Sequence, residues 1–465
     1  MITKQTQRLI LILAAALLPM AWIPSRAARP EAALSSAGWS RAERILERIV
    51  SPRFPDRDFK VTQYGAAPDD GADDRDAIHA AIKACTETGG GRVLIPGGTF
   101  LSEGPINLDD NVNLHLQAGA RLQFGSNPED YLPVVFTRWE GTECYNYSPM
   151  IYTRGKENLA ITGQGLIDGG AQASFAQWKP QQDDAQDRLR QMGNDGVPVE
   201  ERVFGEGDWL RPSMIQFLEC QNVLLEGVEI RDSPFWVVHP VYCTNVTVRG
   251  IRVHSGNKNN DGVDPDSSRD VLIEECVFQT GDDNVAIKSG RDQDAWRVDR
   301  PSENIIIRNC LLSSEANGLC IGSEMSGGVR NVFMENCTIG EADHALYFKS
   351  NLDRGGFVEN VWIRNIALLE AGEAMVYFTT DYHGYRGNHY PPSFRNFLIE
   401  NIACQNAGEE AFYIVGHEDA SISNIIVRNV SAMCAEKPLQ MKYAQNVRFE
   451  NVVVGGERLD GQSRP

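Results

Sequence analysis

The chain has 465 residues, with 44 Lys and Arg against 63 Asp and Glu and a formal charge of −19. An excess of acid on this scale repels nucleic acid and anionic membrane surfaces, so neither is expected as a partner, and a polyanionic substrate would need a local basic patch. Length alone suggests about three domains, but no Pro/Ser-rich linker interrupts the repeat that fills the chain from its middle onward, and one long domain is expected instead.

Lys4 and Arg8 precede an apolar stretch over residues 9–22, and Ser25-Arg26-Ala27 offers a small-x-small cleavage site before Ala28. This is the pattern of a secretory signal peptide over residues 1–27, and its apolar core is short for a transmembrane span. Cleavage would remove three positive charges and no acidic ones, taking −19 to −22. An exported protein is expected, periplasmic or secreted, free of the membrane after cleavage and monomeric. Residues 28–57 read as a lead segment, helix-like over 40–50, and residues 58–465 as one domain.

Within residues 73–86, Ala77, Ile78, Ala81, Ile82 and Cys85 mark one helical face, with Asp73 or Asp74 as a cap. Such a helix is placed to cover the open apolar end of a coil stack. The neighbouring acids Asp69, Asp70, Asp73, Asp74 and Asp76 have no defensible calcium-ligand spacing, so turn and capping roles are expected. Residues 178–209 interrupt the repeat as an insertion.

The repeat itself is an Asn-apolar-x-apolar-x-Asn/Gly pattern. It begins at Asn222, Asn245, Asn304, Asn331, Asn360, Asn396, Asn424 and Asn446, with Asp270 in the leading place once. The intervals between starts are 23, 25, 34, 27, 29, 36, 28 and 22. Nine copies of a short alternating strand followed by a turn indicate a repeat architecture. The reading is an all-β right-handed parallel β-helix, in which residues one coil apart stack about 4.8 Å from each other. Asn245-Val246-Thr247 matches a glycosylation sequon, but the repeat explains it better. Cys276, Cys310 and Cys337 hold the same place in consecutive coils, so stacked thiols are expected rather than bridges.

Two acidic motifs stand out, Asn259-Asn260-Asp261-Gly262-Val263-Asp264 and Gly281-Asp282-Asp283-Asn284. One coil of separation makes Asp261 and Asp282 neighbours on one face. Adjacent strand residues point to opposite sides, so a bend at 281–284 is needed for Asp282 and Asp283 to share a cleft. Asp264 is expected to orient a neighbour or satisfy a turn, and Arg330 and Arg354 are expected to be partly structural.

These motifs, with Gly163-Gln164-Gly165, residues 233–243, residues 321–329 and Lys349-Ser350-Asn351, resemble glycoside hydrolase family 28, the polygalacturonases of pectin degradation. The resemblance covers about residues 58–455. It implies inverting hydrolysis of α-galacturonosidic linkages without a cofactor, Asp282 serving as general acid and Asp261 with Asp283 activating water. Inversion calls for about 6.5–9.5 Å between acid and base. Two motifs depart from the family: its Gly-His-Gly reads Ala316-Asn317-Gly318, and its Arg-Ile-Lys reads Tyr347-Phe348-Lys349. Lys349, Lys288, Asn317, Tyr347 and His239 are the expected substrate-binding residues.

The departures open an alternative, a hydrolase of rhamnogalacturonan or substituted galacturonan whose sugar ring stacks on Tyr347. A non-catalytic pectin-binding protein and a calcium-dependent pectate lyase complete the alternatives. Exo action is expected if the insertion closes one end of the cleft.

Overall fold

The computed structural model describes residues 30–382 and 386–462; the signal peptide read over residues 1–27 lies outside the described residues. Contacts divide the chain after Ser40. The described part of the first unit is helical, the start of a helix over Pro30–Leu46. The second unit, from Arg41 on, is a right-handed parallel β-helix.

Its strands stack in register on three faces. One face runs through Gly91–Ile95, Val112–Leu116, Glu157–Gly163, Gln221–Glu226, Thr244–Arg249, Arg269–Glu274 and Ser302–Arg308. The second includes Glu229–Arg231, Arg252–Ser255 and Val277–Thr280. The third includes Ile151–Arg154, Ile215–Leu218, Val238–Val241, Val285–Ile287 and Asn317–Ile321. Later coils bend so gently that Val329–Lys349 and Phe357–Thr379 each run as one strand around most of a turn.

The repeat motif explains both the core and the corners. Its first apolar position forms an interior column, Val223 over Val246, Val271, Ile305 and Val332, continuing to Val447. Each of these side chains is buried, and burying a Val or Ile contributes about 1.5–3 kcal/mol. All nine leading residues adopt φ between 53° and 65°, the left-handed region that Asn tolerates better than other residues with a side chain. Their amides then stack: Asn331 Nδ2 donates to Asn304 Oδ1 at 3.0 Å, and Asn396 Nδ2 to Asn360 Oδ1 at 3.1 Å. Asp270 cannot donate, and there Arg48 and Val50 of the lead segment step in. Arg48 Nη2 lies 2.6 Å from Asp270 Oδ1, and Val50 N–H donates to Asn245 Oδ1 at 3.0 Å. Asn245 is therefore consumed by the ladder, as its repeat position implied.

The N-terminal helix spans Arg75–Glu87 and buries Ile78, Ala81, Ile82 and Cys85, with Ala77 half-buried. Asp74 holds the N-cap position without a side-chain bond to the helix, and Asp73 takes the first helical N–H. Asp74 instead accepts from Ala67 N and Leu101 N, and Asp73 from Arg75 N and Glu103 N, so the pair ties the helix start to the first coil. Asp69 and Asp70 likewise accept from nearby backbone amides. All ten cysteines are free. The stacked Cys276, Cys310 and Cys337 thiols donate to backbone carbonyls such as Glu274 O and Glu335 O. The inserted segment is partly helical, over Asp183–Asn194, and another helix follows over Asp292–Val298. No helix among the described residues is long and apolar enough to cross a membrane.

Candidate active site

The two acidic motifs meet on the third face, where the backbone leaves strand geometry. Gly281 to Asn284 form the bend required for Asp282 and Asp283 to share one side, and the strand resumes at Val285. Two glycines permit the close packing: a Cβ on Gly262 would lie 2.5 Å from Asn284 O, and one on Gly281 would lie 2.4 Å from Asn257 O. Asn260 holds the first loop by donating to Ser233 O and Phe235 O, each at 3.0 Å. One oxygen from each of Asp261, Asp282 and Asp283 lies within 4.8 Å of the other two.

The three carboxyls are held differently. Asn259, itself gripped by Arg211 at 2.6 Å, donates its backbone N–H and its amide to Asp282 Oδ2 at 3.2 and 3.3 Å. Burial, followed by the charge of Asp283, nevertheless raises the Asp282 carboxyl above its usual range. Asp283 is also buried, but Lys349 at 3.6 Å, Lys288 and a hydrogen bond from Asn317 Nδ2 outweigh burial and hold it below the ordinary value. Close carboxyls driven in opposite directions are what paired acid and base chemistry requires. Asp261 is held well above its usual range by burial, then by Asp264 and Asp282, although Lys288 Nζ stands 3.8 Å from it. Of the three, only Asp283 is held below its usual range, which makes it the carboxylate best placed to accept a proton.

These groups line a cavity of about 240 Å³ together with Glu140, Lys179, Gln186, Arg190, Trp236, Asn259, Lys288, Arg291, Ser323, Glu324, Lys349 and Tyr382. Lys179, Gln186 and Arg190 come from the insertion. The cations form the local basic patch that the overall charge demands, and most are paired. Arg190 bonds Glu140 at 2.7 Å, while Arg291 and Lys288 each lie 3.3 Å from Glu324. Among the described residues Lys179 pairs with the exposed Asp183 at 3.8 Å, a surface pairing worth about 0–1 kcal/mol, and it is readily diverted to a ligand.

Lys288 and Lys349 thus reach the cavity as expected, but three other expected contacts do not. His239 is fully buried; its Nδ1 meets Gln216 Nε2 at 2.9 Å, and its ring lies edge-on to Trp236, the residue that faces the cavity. Asn317 spends its amide on Asp283 rather than on a ligand. Tyr347 is buried, with His344 stacked on it at 4.3 Å and Lys349 Nζ over its ring at 4.9 Å, which leaves no face for a sugar. Asp264 is buried with no hydrogen-bond donor on either oxygen. Arg354 is structural, bonded to Asp292 at 2.8 Å and Ser323 O at 3.0 Å, and Arg330 pairs with Glu303 at 2.7 Å.

Sequence reasoning missed Glu140, Arg190, Arg291 and Tyr382, which lie outside the repeat motif. It passed over Trp236 and Glu324, which sit inside runs already noted for their resemblance. It also missed His344, 27 residues after Asn317 and its register partner in the next coil.

Known proteins carry the same pattern. A family profile described as "Glycosyl hydrolases family 28" matches residues 202–454, and one described as "Rhamnogalacturonase A/epimerase, pectate lyase-like" matches residues 59–118. A probable polygalacturonase of Vitis vinifera is 25% identical over 86% of this chain and 80% of its own length. An exo-poly-alpha-D-galacturonosidase of Dickeya chrysanthemi is 25% identical over 86% and 71%. A crystal structure of a hyperthermoactive exopolygalacturonase from Thermotoga maritima superposes with a TM-score of 0.87 at 39% identity, covering 92% of this chain and 99% of that one.

Proposed function

The chain belongs to the glycosyl hydrolases of family 28 and is a polygalacturonase-like hydrolase of pectic polysaccharide, and we propose that it is an exported exo-enzyme that removes galacturonate from chain ends with inversion. The observation carrying this reading is the opposed setting of neighbouring carboxyls at the floor of one cavity. Asp282, held protonated, donates to the departing glycosidic oxygen. Asp283, held ionised, takes the proton of the attacking water. Asp261 positions that water, with Lys288 balancing its charge.

Exo action is supported by the insertion. Its helix over Asp183–Asn194 places Gln186 and Arg190 in the wall of the cavity. Lys179, Arg190 and Lys349 supply positive charge for a substrate carboxylate. Export is supported by the pattern of residues 1–27. The two-proton logic of Asp282 and Asp283, with Asp261 beside the water, supports inversion.

The rhamnogalacturonan alternative loses its structural motive, because Asn317 and Tyr347 face protein rather than substrate. A calcium-dependent eliminase draws on one observation, that three carboxylates close enough to share a cation are present. Lys288 and Lys349 already supply the opposing charge at 3.8 and 3.6 Å. The test is incubation with homogalacturonan and rhamnogalacturonan oligosaccharides, with and without chelator. Saturated monogalacturonate from homogalacturonan supports the proposal; unsaturated ends abolished by chelator defeat it.

A further inference from the structure

Behind Asp283 lies a line of polar groups that the reaction described above does not use. Asn317 Nδ2 donates to Asp283 Oδ1, His344 Nδ1 meets Asn317 Oδ1 at 2.8 Å, and His344 Nε2 stands 3.0 Å from Glu373 Oε2. Asn317 and His344 are buried, and the Glu373 side chain is 58% exposed. A line of contacts thus runs from the base carboxylate to the surface. We propose that His344 is a positioning residue for Asp283, acting through the Asn317 amide.

Hydrogen-bond logic fixes the direction of each contact. Asp283 is ionised and accepts, so the Asn317 NH2 faces it and the Asn317 oxygen faces His344. That oxygen only accepts, so His344 carries its proton on Nδ1. The imidazole in this way decides which end of the amide meets the carboxylate. A turned amide would set its carbonyl oxygen against Asp283 Oδ1, removing a donor and adding repulsion to the group that must stay ionised. The family motif places histidine where Asn317 stands; here the ring lies one coil further on and acts at one remove.

The surroundings keep His344 in place and neutral. It stacks on Tyr347 and meets Tyr377 edge-on at 4.6 Å. Burial, then the charge of Lys349, lowers the imidazole to about 4, against the attraction of Asp283. The Glu373 carboxyl is raised by burial, then by Asp343, Glu409 and Glu410.

The inference rests on Asp283 being the base, and its test separates the two. In protein with 15N-labelled histidine, NMR is expected to show His344 as the Nδ1–H tautomer near neutral pH; an Nε2–H tautomer overturns the proposal whatever the activity. On homogalacturonan, wild-type turnover checks the functional reading first. His344→Phe keeps the stack on Tyr347 without a donor. It is expected to lose at least tenfold in kcat with little change in KM, and to move the acidic limb of kcat/KM upward. His344→Gln, whose amide can still donate to Asn317, should fall between the two. If His344→Phe is folded and keeps wild-type kcat and acidic limb, or if both variants lose kcat equally with the limb unmoved, His344 has no positioning role. Should His344→Phe fail to fold, the His344→Gln profile and the tautomer decide.

Discussion

Replacing Lys349 by Met isolates the charge that holds Asp283 ionised. The two side chains are 10% and 1% exposed, with Nζ 3.6 Å from Oδ2. At an effective dielectric of about 20, two unit charges at that distance interact by roughly 5 kcal/mol, or about three pKa units. Lys288 and the Asn317 hydrogen bond remain, and water entering the vacated space screens the rest, so a net rise of about one to two units is expected. The base must be ionised, so the acidic limb of kcat/KM moves to higher pH by that amount. The loss of activity is greatest in acid and narrows towards neutrality. Stability follows the same sign. In the wild type the depressed Asp283 contributes stability that is present above its unfolded pKa and fades as pH falls through the folded one. In the variant that contribution is smaller at neutral pH by about 1.4–2.7 kcal/mol, the equivalent of the one-to-two-unit rise, and the deficit shrinks on acidification. The assay is reducing-end release from homogalacturonan between pH 3 and 8, paired with thermal melts at the same pH values. A folded variant whose acidic limb moves by less than about half a unit would refute Lys349 as the group that sets Asp283.

Other outcomes follow from the same geometry. Asp282→Asn removes the transferable proton and should lower kcat by at least about a thousandfold with KM nearly unchanged, the two effects being separated by steady-state kinetics. Asp264→Asn replaces a buried carboxyl held well above its usual range, and should raise the melting temperature at neutral pH by a few degrees, an advantage that fades in acid as the unfolded-state carboxyl also becomes protonated. Arg190→Ala should raise KM for short galacturonate oligomers about tenfold while leaving kcat within a few-fold, since it strips ground-state binding from the inserted wall. Asn360→Ala should cost about 1–2 kcal/mol through the left-handed backbone and the lost ladder bond, whereas Asn360→Gly, which relieves the backbone, should cost less in chemical denaturation.

The parts of this protein that obey a period were readable before any coordinate. Asn at the left-handed corner and alternating apolar residues inside the strand are local requirements repeated nine times, so the β-helix and its stacked thiols followed from the pattern. The carboxylates were readable too, because the chemistry needs acids in turns at the spacing of one coil. What escaped depends on contacts without a period. Arg190 reaches the cavity from an insertion whose path no repeat dictates. His344 becomes visible only when coil length is counted forward from Asn317. His239, Asn317 and Tyr347 were misplaced for a related reason: strand position tells which face a residue occupies, but not whether a neighbouring ring or loop stands between it and the substrate.

The central claim is hydrolysis by a protonated Asp282 and an ionised Asp283 on the end of a galacturonan chain. The most direct measurement is a proton NMR time course on homogalacturonan in the presence of chelator, read before mutarotation equilibrates the products. Saturated monogalacturonate is expected to appear first as the β-anomer, inverted from the α-linkage. Initial α-anomer would show that the tightly grouped carboxylates work by retention, and unsaturated or long products would contradict exo-hydrolysis itself.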